Sequence, residues 1–147
     1  MNARQITHAD GSHTFVLVFD TGDEVTKELL TFSRAHGLEA ASFTGIGAFQ
    51  NVTVGYFDLQ TRDYARIPIG EQVEVLSLVG NVARGDDGPK LHAHVVVGKR
   101  DGSAHGGHLI EARVRPTLEI VLVETPAHLR RRSDPATGLA LIDLQRG

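Results

Sequence analysis

The segment Leu91-His92-Ala93-His94-Val95-Val96-Val97 constrains the chain more than any other. Its β-branched, period-two pattern is that of a strand, whose successive side chains point to opposite faces. Leu91, Ala93, Val95 and Val97 make one apolar face, and His92, His94 and Val96 make the other. The apolar face belongs against a core. The fold must therefore hold a sheet whose second face carries two imidazoles one strand repeat apart.

The rest of the chain agrees with a sheet. Residues 15–19, Phe-Val-Leu-Val-Phe, form a continuous apolar run that predicts a strand buried on both faces. Thr21-Gly22-Asp23-Glu24 has the letters of a capping box, and Val25, Leu29, Phe32 and His36 follow at helical spacing before Gly37. This predicts one helix over residues 22–36. Strands are expected at 40–48, 52–57, 64–69, 72–83, 91–98, 107–114 and 117–124, with Pro68 marking 64–69 as an edge. Residues 58–63 and Gly85-Asp86-Asp87-Gly88 read as turns, and residues 139–144 as a last apolar piece. One early helix among antiparallel strands gives an α+β domain, mainly antiparallel sheet with the helix packed on one face. With no repeat and no linker, residues 1–147 read as one domain, with a core over about 13–125 and a tail over 126–147.

Composition narrows the chemistry. The 147 residues include no cysteine, which removes disulfides, thiolate metal sites and a cysteine nucleophile together. A bound metal must then rest on His, Asp or Glu, and eight histidines are available. Fifteen Lys and Arg against eighteen Asp and Glu give a net charge of -3, without the basic excess of a protein that holds DNA by charge alone. No apolar run approaches the roughly 18–20 residues of a membrane span, and residues 1–5 lack a signal-peptide core. The expected location is cytoplasmic, with no membrane partner.

Eleven residues beyond His94, His105-Gly106-Gly107-His108 opens the next β segment. The intervening Lys99-Arg100-Asp101-Gly102-Ser103 contains an Asp-Gly pair and suits a hairpin, which would bring His105 or His108 beside His92 and His94. Three neutral imidazoles from adjacent strands suit a divalent metal with an open position, and without thiolates Zn, Fe, Ni and Mn are all admissible. The same spacing also serves a hydrogen-bonded pair or an interface without metal. Glu111 and Glu119 are candidates for a supporting carboxylate or a general base, beside the plainer reading of solvated strand carboxylates. His8, His13, His36 and His128 stand alone and take no role.

At these residues the sequence resembles the PPC domain family, "plants and prokaryotes conserved". The resemblance runs through residues 16–19 with Gly22-Asp23-Glu24-Val25, then Thr44-Gly45-Ile46-Gly47-Ala48 with residues 52–58. It continues through Val75-Leu76-Ser77-Leu78-Val79-Gly80-Asn81-Val82, Leu91-His92-Ala93-His94-Val95 and Gly106-Gly107-His108-Leu109. It implies a compact α+β domain assembled as a homotrimer, with divalent metal at His92, His94 and His108 and His105 as a neighbour. Plant relatives bind AT-rich DNA through a separate Arg-Gly-Arg-Pro hook in the minor groove. That hook is missing here: in Arg113-Val114-Arg115-Pro116 a Val replaces the glycine, and the segment reads as structure. The plant Gly-Arg-Phe-Glu-Ile-Leu stretch used for partner contacts is Glu71-Gln72-Val73-Glu74-Val75-Leu76, without the Arg and Phe.

Gly45-Ile46-Gly47 begins like a dinucleotide fingerprint, but Gln50 replaces the third glycine and a strand follows. Its glycines imply a turn or a close backbone approach. Arg130-Arg131-Arg132 is the sole basic cluster, expected as a solvated face or carboxylate partner, and tripled in a trimer it is the best sequence argument for DNA. The leading expectation is a trimeric PPC-type regulatory module, DNA-binding by family, with a three-histidine metal site. Two alternatives stand beside it. One is a small metal-dependent enzyme, hydrolase- or lyase-like, taking a small molecule at the metal, with Glu111 or Glu119 handling protons. The other is a trimer whose metal is structural.

Overall fold

The structure, a computed structural model, describes residues 1–125 and 129–145. His128 and part of the expected tail lie outside the described residues. Elements follow in the order β1 (Asn2–Thr7), β2 (His13–Phe19), α1 (Val25–Ala35), β3 (Ala40–Asp58), β4 (Asp63–Ile69), β5 (Val73–Gly85), β6 (Gly88–Gly98), β7 (Ala104–Glu124), β8 (Arg131–Ser133) and β9 (Ala140–Ile142). The α+β class with one early helix and an antiparallel sheet is as expected.

Seven strands pair in the order β1-β2-β7-β6-β5-β3-β4, and β7 pairs with β3 as well. That extra pairing closes β3, β5, β6 and β7 into a ring. Two pairs of predicted strands are each one long strand: 40–48 and 52–57 merge in β3, and 107–114 and 117–124 merge in β7. Register shifts between Gly45 and Gly47 and between Phe49 and Asn51 let β3 change neighbours without ending. Its first half lies between β5 and the end of β7, and its second half between β4 and the start of β7. Gly47, at φ +152°, lies so close to Thr117 and Leu118 that a side chain would meet their backbone. This is the close approach expected of those glycines.

Inward side chains of the strands and the apolar stripe of α1 form one cluster that includes Phe15, Phe32, Phe43, Leu78, Val95 and Ile120. In β2 the burial alternates. Phe15, Leu17 and Phe19 are buried, but Val18 is exposed, so this strand is covered on one face only. The correction matters because its second face joins an apolar outer surface described below. β1 was not foreseen: its six residues are all exposed, so no hydrophobic pattern announces it.

The helix starts at Val25 with Glu24 as N-cap, not at residue 22. The Glu24 carboxylate accepts from the backbone N–H of Thr26 (3.3 Å) and Lys27 (2.7 Å), and from Ala112 N–H across the sheet (3.2 Å). The Thr21 box does not form because Gly22 and Asp23 spend their backbone on β7. Gly22 N–H donates to the Val114 carbonyl and Val114 N–H to the Asp23 carbonyl, while the Thr21 hydroxyl donates to the Pro116 carbonyl. At the other end Gly37, at φ +62°, donates to the Arg34 carbonyl while Leu38 N–H donates to Ser33. This is the expected glycine stop in Schellman form.

Candidate metal centre

The alternation read from residues 91–97 holds. Ala93, Val95 and Val97 are buried, Leu91 packs against the core, and His92 and His94 face outward. The Lys99–Ser103 turn closes with Lys99 N–H on the Ser103 carbonyl (2.9 Å) and folds β7 back on β6. His94 then lies directly opposite His108, and His108 opposite Gly55 of β3 on its other side. His105 lies opposite Val97, farther along the hairpin, and is exposed. Of the two histidines that the hairpin offered, His108 joins the pair.

One nitrogen from each of His92, His94 and His108 falls within 4.8 Å of the others. The Nε2 atoms of His92 and His94 are 3.2 Å apart. His108 Nδ1 is buried and has no hydrogen-bond partner. Burial above all, then the neighbouring His92 and His94, push the His108 imidazole down to about 4. His92 is also lowered, by burial first and then by Arg131 and His94. Both are therefore neutral at pH 7, the form in which imidazole ligates a metal. Three imidazoles whose nitrogens lie this close are a donor set that a divalent cation fits, and His108 Nδ1 is a buried ring nitrogen whose unmade hydrogen bond otherwise costs stability.

Three further side chains frame the triad. Tyr64 of β4 stacks on His108, with ring centroids 4.5 Å apart and planes at 22°. Gly55 makes this approach available: a Cβ there would sit 2.7 Å from the Tyr64 ring. Asn81 of β5 lies directly across from His92. Its Oδ1 accepts from Arg131 Nη2 at 2.6 Å, while Arg131 Nη1 donates to the Ala140 carbonyl at 2.6 Å. The β8–β9 hairpin, closed by Asp134 accepting from the Thr137 hydroxyl and N–H, thus stands beside β5 and walls a groove of about 410 Å³. His92, His108, Tyr64 and Arg131 line that groove together with apolar residues of the hairpin.

One expectation needs correction. The arginine cluster is not solvated throughout: Arg131 is 7% exposed and turned into the groove, whereas Arg132 keeps 66% of its side chain exposed and faces Asp143 at 3.6 Å. Glu111 and Glu119 follow the plainer reading, exposed strand carboxylates outside the groove that the histidines line. Glu111 pairs with Arg66 (2.6 Å) and lines a different groove with Glu24, and Glu119 lies on the outer face near Ile46. Arg113-Val114-Arg115-Pro116 is structural, as expected, with Val114 fully buried inside β7. Tyr64, Asn81 and Arg131 were missed as site residues. The signal for Asn81 was its face: it shares the outward parity of Val79 on the strand flanking the histidines. Tyr64 and Arg131 reach the site through a strand closure and a hairpin docking that local pattern does not encode.

The sequence model of the Plants and Prokaryotes Conserved (PCC) domain matches residues 7–126. No curated protein matches the chain. Among solved structures, a plant- and prokaryote-conserved (PPC) protein from Pyrococcus horikoshii is 35% identical, over 88% of this chain and 90% of that one, with a TM-score of 0.83. A metal-containing protein from Archaeoglobus fulgidus is also 35% identical, over 88% and 91% of the two chains, with a TM-score of 0.81. A "putative DNA binding protein" from Bacteroides thetaiotaomicron is 28% identical over 98% and 99%, with a TM-score of 0.89.

Proposed function

The chain belongs to the Plants and Prokaryotes Conserved domain family, and from that membership we propose that it is a metal-holding regulatory module. His92, His94 and His108 hold one divalent ion, several copies assemble as a homotrimer, and the assembly has DNA as its partner. The observation that carries the reading is the convergence of one nitrogen from each of three imidazoles within 4.8 Å of one another, in a triad whose His108 has a buried Nδ1 without a hydrogen-bond partner. The metal-containing relative from Archaeoglobus fulgidus supports it. A donor set of three imidazole nitrogens and no thiolate fits Zn, with Fe, Ni and Mn also admissible. When bound, such an ion supplies Lewis acidity and a coordination position open to an outside ligand. His92 and His94 are fixed by the pleat of β6, His108 by its pairing with β6 and β3, and Tyr64 shields one face of its ring.

The homotrimer is supported by the outer sheet face, where Ile46 is 62% exposed, Val79 48% and Val121 45%. Val79 and Val121 belong to a register row that runs into the histidines: Val121 opposes Thr44, Thr44 opposes Val79, and Val79 opposes His94. DNA as a partner is supported by the name of the Bacteroides relative; the arginine cluster adds little, being turned inward at Arg131. A second reading, in which the metal is structural, draws on the direct opposition of His94 and His108, since an ion there would tie β6 to β7.

Elemental analysis of protein purified without chelators, beside the His108→Ala variant, tests the site. About one ion per chain, lost in the variant, is the expected result. No uptake under loading with Zn, Fe, Ni or Mn overturns it. Salt-dependent retention of a DNA duplex tests the partner, and its absence at low salt overturns that part.

A further inference from the structure

Arg131 presents a problem that the metal centre does not solve. The residue is 7% exposed, yet among the described residues its hydrogen bonds go to neutral oxygens, on Asn81 and Ala140, and its Nε is buried with no partner. Among the described residues no carboxylate pairs with it. Among the described residues the groove it lines has no acidic side chain, and the second cation there, Lys90, is answered by Asp87 at 2.7 Å. A buried charge left with neutral partners is costly unless an anion completes it. Much of the remaining lining is apolar: Leu91, Leu139, Leu141 and Ile142 border the same space. Leu141 and Ile142 are 47% and 39% exposed, an apolar surface without cover.

The geometry points to this groove as the binding site of a small organic carboxylate. Its charged end lies between Arg131 and the His92–His108 side, and its apolar body lies along the β8–β9 hairpin. The volume of about 410 Å³ falls within the range of small-ligand pockets. The apolar wall selects against inorganic anions, and the depth of Arg131 keeps it from the backbone of a nucleic-acid duplex. Arg131 and the hairpin are the specificity elements. The assignment rests on the metal-centre reading only for a second anchor of the carboxylate, so the two can fail separately.

The test is calorimetric titration of zinc-loaded full-length protein with hexanoate, 1-hexanol and inorganic phosphate. Hexanoate should bind and hexanol should not. Arg131→Gln should weaken hexanoate at least about tenfold, the loss expected for one charge-assisted hydrogen-bonded contact. Arg131 also holds the hairpin, so Leu141→Glu provides a second variant: a carboxylate added to the apolar lining should repel hexanoate while zinc content stays unchanged. No hexanoate binding to protein that carries zinc overturns the proposal and leaves the metal reading intact. Phosphate binding as tightly as hexanoate, with the same Arg131 dependence, overturns the assignment to carboxylates. Should the protein take up none of Zn, Fe, Ni or Mn, the metal reading fails and the same titration is read on metal-free protein. Arg131-dependent hexanoate binding there sustains the proposal, and none overturns it.

Discussion

At the scale of the residue, His108 is where burial, charge and function meet. Its imidazole is held near 4 by burial and by His92 and His94, against an ordinary value of about 6.5. The metal-free unfolded chain therefore binds more protons than the folded one between those values. Stability contributed by keeping His108 neutral is complete above about pH 6.5 and is lost as pH falls toward 4. We expect the melting temperature of chelator-treated protein to fall across that window, and His108→Gln to flatten the fall; equal slopes would show that His108 is not the titrating group. Metal content makes a separate claim. His92→Ala or His94→Ala should abolish metal retention with circular dichroism unchanged, because both side chains point away from the core, and a double variant that keeps full stoichiometry would refute the ligand set. The two histidines of β6 were legible because a strand's period of two is unconditional once the apolar face is known. The choice between His105 and His108 needed the hairpin's register, which the resemblance implied and the spacing alone did not. Tyr64 was legible only as part of an edge strand, since nothing local says that β3 will carry β4 over the histidines.

At the scale of the element, helix capping separates letters from physics. Thr21 and Glu24 have the spacing of a capping box, but Gly22 and Asp23 exchange backbone hydrogen bonds with Val114, so the chain cannot turn helical before Glu24. Glu24 caps α1 and also accepts from Ala112 on β7, joining helix and sheet through one carboxylate. Glu24→Ala should cost about 1–2 kcal/mol, the range of a lost N-cap, by urea denaturation. Thr21→Ala should stay within about 0.5 kcal/mol, as an exposed substitution does. The reverse ranking would restore the box read from the sequence. The same element scale explains the merged strands. Turn-like residues inside β3 and β7 predicted breaks, yet a strand with sheet neighbours on both sides absorbs an irregularity as a bulge, and where those neighbours lie is not written locally.

At the scale of the whole molecule, closure of the ring decides what the outer surface is for. A register row leaves β7 at Val121, crosses β3 at Thr44, β5 at Val79 and β6 at His94, and returns to β7 at His108. The exposed apolar face and the histidine triad are therefore one continuous surface of the sheet. A face that exposes Ile46, Val79, Val121 and Val18 exceeds the scattered apolar residues normal on a monomer. It is the surface we assign to self-assembly. All three histidines nevertheless belong to one chain, and their nitrogens converge without help from a second copy. Assembly and metal content should then separate. Ile46→Glu with Val121→Glu places two carboxylates on the apolar face without touching the core, so sedimentation should shift from trimer toward monomer while the far-ultraviolet spectrum is unchanged. Metal per chain should remain near that of the unmodified protein. If the ion is lost together with the trimer, the fourth donor comes from a neighbouring subunit, and the centre is a device of the assembly instead of the chain.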